Sequence, residues 1–185
     1  MTSKRWLITF VGTVLLAAVL IAGFNFATDP FGVFGDRLMD WYSANETNNP
    51  RVAKIAYLDR HHQEYDSYII GSSSTSSLSV EKLNEYMDAR FYNLFMYGAD
   101  MYDVRKTAEY VVQNYEVKNL VLNLAMMNAV NYAYENDPFT DNLHAKTEGA
   151  STKQFYLKYL FANPAYGFSK LRNRAQDTWL SQPFD

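Results

Sequence analysis

The hydrophobic pattern divides the chain at once. From Trp6 to Thr28 no charged residue interrupts an apolar run. At about 1.5 Å of rise per residue, a helix over this stretch covers the roughly 30 Å of hydrocarbon in a bilayer. A core helix in so small a protein would normally carry a polar face. A cleavable signal peptide has a shorter apolar region with a small-residue exit, unlike Gly23-Phe24-Asn25-Phe26-Ala27. The run therefore predicts a retained membrane-spanning helix, with residues 6–28 in the lipid bilayer. Lys4 and Arg5 precede it and Asp29 and Asp36 follow it. The excess of positive charge on the inner side then places the N-terminus in the cytoplasm and the remainder outside the cell membrane.

Residues 29–50, with Pro30, Gly32 and Gly35, read as a juxtamembrane connector. Trp41 and Tyr42 there suit either the headgroup region or packing on the domain. Over residues 51–130 the periodicity alternates. Val52, Ile55, Ala56 and Leu58 predict a helix over Arg51–Glu64, and Tyr68-Ile69-Ile70 is a short apolar run ending at Gly71, the pattern of a buried strand. Ser79 is a good N-cap for a helix over Val80–Met87, with Glu81 favoured in its first turn. A second strand follows over Phe91–Tyr97, and a helix over Met101–Tyr115 carries Val104, Ala108, Val111 and Val112 on one side. Leu120–Leu124 is the third strand. Such alternation predicts an α/β fold: a three-layer, flavodoxin-like parallel sheet of about three strands, consecutive strands being neighbours.

Residues 131–185 contain neither Val nor Ile, and strands favour β-branched residues. No further central strand is expected there. Helices are predicted instead over Phe155–Phe161, with an aromatic face, and over Tyr166–Leu180, with Lys170, Arg172 and Arg174 on a solvated side.

Composition narrows the chemistry. The formal net charge is -3, so no basic face for nucleic acid is indicated. The chain has no Cys, which excludes disulfides, thiolate metal sites and a Cys nucleophile. Three His are present, His61, His62 and His144. No phosphate-loop or dinucleotide fingerprint occurs, so no cofactor is expected. Asp137, Asp141 and His144 could form a weak metal cluster, but neither ligand count nor spacing is diagnostic, so no metal centre is expected.

One segment can carry chemistry. Gly71-Ser72-Ser73-Ser74-Thr75 lies between a predicted strand and a predicted helix. In an open α/β sheet that is where ligands bind, with backbone amides available for a developing oxyanion. His61 and His62 precede this strand and belong at its opposite end. His144 can share the edge with Ser73, and Asp141 could orient it as in a triad.

The stretch Tyr65-Asp66-Ser67-Tyr68-Ile69-Ile70-Gly71-Ser72-Ser73 resembles the first block of the SGNH (GDSL-like) hydrolases, in the branch with Gly-Ser-Ser for Gly-Asp-Ser. That branch includes membrane-anchored O-acetyltransferases and teichoic-acid acyl-transfer proteins. The resemblance places the nucleophile on Ser73. Asn93-Leu94-Phe95-Met96-Tyr97-Gly98 has the spacing of the second block, which gives Gly98 N–H to the oxyanion hole. The third block departs from the family: Met127 stands where its oxyanion Asn belongs and Asn128 is one place late, although Asn128 or Asn123 could serve. The family's final Asp-x-x-His lies near the C-terminus after further strands, whereas Asp141-Asn142-Leu143-His144 follows the third strand directly. The resemblance thus implies a serine esterase or acyltransferase acting on acylated envelope glycans or teichoic acids. The alternative is a truncated or non-catalytic module partnering other envelope-biosynthesis proteins.

Overall fold

The computed structural model describes residues 3–39, 49–124 and 139–176. Helix α1 spans Ser3–Thr28 and α2 spans Pro50–His61. Strand β1 (Ser67–Gly71) leads through a 3-10 turn, Ser73–Ser77, to α3 (Val80–Met87). Then come β2 (Phe91–Phe95), α4 (Met101–Asn114) and β3 (Asn119–Asn123). Helices α5 (Ala145–Glu148), α6 (Thr152–Leu160) and α7 (Ala165–Gln176) complete the described chain. Ser79 Oγ accepts Lys82 N–H, the cap its sequence position signalled, and Asp100 caps α4 through Asp103 N–H.

The three strands are parallel, in the order β2-β1-β3. This corrects the expectation that consecutive strands are neighbours, because β2 and β3 flank β1 and do not pair. The connection through α3 goes from central β1 to β2, and the one through α4 returns from β2 past β1 to β3; with the usual right-handed crossovers, opposite directions put the two helices on opposite faces. Tyr68, Ile70, Tyr92 and Leu94 point to one face and join Ala53, Ile55 and Leu58 of α2 and Val104 and Val111 of α4 in the main core. Asn93, of opposite parity, holds the 3-10 turn on the other face. Central β1 is fully buried, whereas β3 is only partly covered, with Leu122 exposed.

A second, aromatic core joins the connector to the C-terminal helices. Phe31, Val33, Val52, Ala145, Phe155 and Tyr159 are buried in it. The Phe31 ring meets Tyr159 at 5.1 Å and Tyr166 at 4.9 Å, within the range where edge-on aromatic pairs attract. The β-branch-poor C-terminal segment thus packs through rings on helices.

Helix α1 is long and apolar enough to cross a membrane, and none of its most apolar stretch is buried against the rest of the chain. Burial begins at its last turn. Asn25 Nδ2 donates to the carbonyls of Leu160 and Ala162 at 2.9 and 2.8 Å. Phe24 packs on Phe168 with ring centroids 4.6 Å apart. Gly167 is required for this approach, since a Cβ there would come within 2.6 Å of Phe24 and of Thr28 Oγ1. Lys170, expected in solvent, is instead buried: its ammonium lies 2.9 Å from Asp36 Oδ2 and donates to Asp29 O at 2.9 Å. Asp29 Oδ2 accepts the backbone N–H groups of Phe34 and Asp36. Burial pushes the Asp29 carboxyl up to about 6, against the opposing pull of those amides and of Lys170.

Removing one partner of a buried ion pair strands the other and typically costs about 3–5 kcal/mol. Lys170→Met is expected to lower the thermal midpoint of the full chain in detergent micelles sharply. Arg105→Met, which breaks the exposed pair with Glu109, is expected to cost less than about 1 kcal/mol in the same measurement.

Candidate active site at the carboxyl edge of the sheet

The sheet register sets Gly71 beside both Phe95 and Asn123, so the three strands end level. Ser73, two residues past Gly71, Gly98, three past Phe95, and Asn123 therefore belong to one edge. Gly71 is needed there for space. A Cβ on it would lie 2.6 Å from Thr75 Cγ2 and 2.9 Å from Asn123 Cβ, because the 3-10 turn folds back onto the strand end.

The turn is pinned from below. Buried Thr75 donates its hydroxyl to Ser72 O at 2.7 Å, and the buried Asn93 amide donates to Thr75 O at 2.8 Å. Ser76 and Ser77 hydroxyls close on the carbonyls of Ser73 and Ser74, and Asn123 Nδ2 donates to Ser74 Oγ at 2.9 Å. Ser73 itself is exposed, and its hydroxyl makes no hydrogen bond among the described residues. Gly98 is also exposed, in a left-handed turn with φ +61° and open space on its Cβ side. That backbone conformation favours glycine. Asn128, the other expected oxyanion donor, lies outside the described residues, as do Met127, Asp137, Trp41 and Tyr42.

His144 and Asp141 do not join this site. His144 is fully buried, its ring 4.6 Å from that of Phe155. Its Nδ1 accepts Lys146 N–H at 3.2 Å, capping α5, and its Nε2 has no hydrogen-bond partner among the described residues. Asp141 is half-buried and does not bond to it. The reason is packing. Leu143 enters the main core on the α2/α4 face and Ala145 enters the aromatic core, carrying His144 with them. Thr75 and Asn93 tie the Ser73 turn to the opposite face. The expected serine–histidine–aspartate arrangement is not assembled from these three residues. His61 and His62 stand at the end of α2, as expected, with His61 Nδ1 2.9 Å from Glu64 Oε1.

A second polar cluster had no signal in the sequence, because three distant segments build it. Asp59 accepts the hydroxyls of Tyr110, at 2.7 Å, and Tyr115, and pairs with the Lys146 ammonium. Burial alone would raise the Asp59 carboxyl, but Lys146 and the two phenols outweigh it and hold it below the usual range. Burial, then the bond to Asp59, pushes the Tyr115 hydroxyl up. Among the described residues no three carboxylate or imidazole groups converge as a metal site would require. An open apolar groove of about 670 Å³ runs along α4 and β3, lined by Met101, Tyr102, Val112, Leu122 and Leu124 among others.

Compared with known proteins, the chain matches no family model, no curated sequence and no solved structure.

Overpacking a close contact typically costs about 1–3 kcal/mol. Gly71→Ala is expected to destabilise the chain by that amount in chemical denaturation and to raise protease cleavage within Ser72–Ser77.

Burial pushes the His144 imidazole down to about 4, from an ordinary 6.5. Above pH 6.5 both folded and unfolded forms are neutral. As the pH falls towards 4, the unfolded chain takes up a proton that the folded chain does not, and stability is lost, by up to about 3 kcal/mol. Asp29 works the other way: its folded pKa of about 6 exceeds 3.8, so it adds stability as the pH falls through the same window. His144→Asn keeps an acceptor for Lys146 N–H. Wild type is expected to lose about 3 kcal/mol relative to this variant between pH 6.5 and 4, measured by denaturant titration in micelles.

Proposed function

We propose that this chain is a membrane-anchored, extracytoplasmic serine esterase or acyltransferase of the SGNH type. Ser73 is its nucleophile, and its substrates are O-acyl groups of cell-envelope glycans or teichoic acids. One observation carries the reading: an exposed serine at the carboxyl end of central β1, on a turn held by Thr75 and Asn93, level with the glycine turn that ends β2. The order β2-β1-β3 is the opening order of flavodoxin-like sheets, which take ligands outside the strand ends where the winding reverses. Here the winding reverses at β1, the strand that delivers Ser73. The substrate class rests on the resemblance of the sequence blocks alone.

In this reaction Ser73 Oγ bonds to the acyl carbon, and the carbonyl oxygen gains charge facing the N–H groups of Ser73 and Gly98. The C–O bond to the sugar or polyol then breaks, and the departing oxygen takes up a proton. Asn123, already bonded to Ser74 at this edge, is a side-chain amide placed to complete the oxyanion hole. Losing one such donor costs about 3 kcal/mol of transition-state stabilisation. The proton of Ser73 leaves to a solvent base and an equivalent proton is taken up by the departing oxygen, the acyl group staying on Ser73 until water or an acceptor hydroxyl displaces it; His144, buried against Phe155 and Tyr156 of α6, is not that base.

The docking of Asn25 and Phe24 on α6 and α7 supports retention of α1 as an anchor, and Lys4 and Arg5 support an outward-facing domain. A second reading, a non-catalytic SGNH-like module serving as an anchored partner, is favoured by the absence of any hydrogen-bonded base on Ser73 among the described residues.

Fluorophosphonate labelling of the full chain in micelles separates these. The esterase reading expects covalent labelling that Ser73→Ala abolishes and His144→Asn leaves intact. Equal labelling of wild type and Ser73→Ala sinks Ser73 as nucleophile, and no labelling of either supports the non-catalytic module. Orientation is tested with Tyr86→Cys, an exposed site in a chain that otherwise has no Cys. A membrane-impermeant maleimide is expected to label it on intact cells.

A further inference from the structure

We propose that α6 and α7 form a membrane-interfacial element, with Leu157, Phe161, Phe168 and Leu171 seated at the hydrocarbon–headgroup boundary of the leaflet from which α1 emerges. The inference rests on the anchor reading of α1.

Depth arithmetic carries it. From Trp6 a helix rising about 1.5 Å per residue has crossed roughly 30 Å of hydrocarbon close to Phe24 and Asn25. At that level the domain is attached. Asn25 Nδ2 holds the carbonyls of Leu160 and Ala162, on either side of Phe161, and Phe24 packs on Phe168. Phe161 and Phe168 therefore lie at the depth where the apolar span ends. Both are bare, at 54% and 62% exposure, and Leu157 and Leu171 extend the same faces at 44% and 38%. Leu157 lies four residues before Phe161, and Leu171 three after Phe168, so each pair shares a helical face.

Isolated apolar side chains at a protein surface are ordinary, but a contiguous group marks an interaction site. This group is continuous with a span whose own surface is apolar and uncovered, and lipid is the partner that meets both. Exposed Arg172, one turn beyond Phe168, has the reach to place its guanidinium among phosphates while its stem covers apolar surface. An amphipathic helix buries such a face by lying in the interface.

The chain has no native Cys, so single nitroxide labels report depth directly. The full chain, with Cys introduced singly at Phe161, Phe168, Leu157, Leu15 or Tyr86, is reconstituted in phosphatidylcholine–phosphatidylglycerol vesicles. Collision with oxygen and with a water-soluble nickel chelate is then measured. The Leu15 label is expected deepest, the Tyr86 label aqueous, and the Phe161 and Phe168 labels between them, with oxygen-to-nickel ratios several-fold above Tyr86. Labels at Phe161, Phe168 and Leu157 that match Tyr86 overturn the proposal while a deep Leu15 leaves the anchor standing. A Leu15 label outside the bilayer overturns both. Dipolar broadening between labels at Phe161 or Phe168 identifies a second copy as the occupant and also overturns it.

Discussion

A buried ion pair ties the connector to the last helix described. The Lys170 ammonium has left water, at a cost of several kcal/mol for any unpaired ion, and the Asp36 carboxylate and the Asp29 carbonyl offset that cost. Those two acceptors belong to the connector and the donor belongs to the last helix described, so the contact closes a long loop of chain. Asp29 and Asp36 adopt left-handed backbone angles, φ +37° and +45°, which aspartate tolerates better than most residues. The strained connector, the end of α1 and the aromatic core are thereby one body. A helix joined to its domain by a loose tether would need none of these features.

The edge carrying Ser73 is built on the opposite principle. Its backbone is pinned by neutral hydrogen bonds from Thr75 and Asn93, while the serine above them is left in solvent. A close-packed base with a free hydroxyl on top is what presentation of a nucleophile requires. It also explains why the site does not recruit His144. The residues flanking that imidazole are apolar and are drawn into two separate cores, and burying them outweighs the single hydrogen bond a serine could offer.

Much of the fold was readable from local rules. The helices expected over residues 51–64, 80–87 and 101–115, the Ser79 cap and all three strands follow from periodicity and end signals, with some ends shifted by a few residues. Strand order was not readable, because periodicity says which face of a strand is buried and nothing about which side the next strand takes. Lys170 was misplaced because a charged residue amid polar neighbours reads as solvated. Asp29 and Asp36, distant in sequence, help make its burial tolerable. The serine corner was visible because a Gly/Ser run sits between an apolar strand pattern and a helix signal; the crowding that demands Gly71 was not. The clustering of Asp59, Tyr110, Tyr115 and Lys146 was hidden, since three segments far apart in sequence supply it.

The Asn25 amide has a further consequence. Its two hydrogen bonds to Leu160 and Ala162 carbonyls fix one turn of α1 against the domain, so the helix cannot slide along its own axis without breaking both. In a bilayer this acts as a depth stop. A thicker membrane could not be met by drawing more of the helix inward, and a thinner one could not be met by letting it out. Hydrophobic mismatch would have to be absorbed by tilting the whole body or by deforming the lipid around it, so bilayer thickness would set the angle at which the domain leans over its surface.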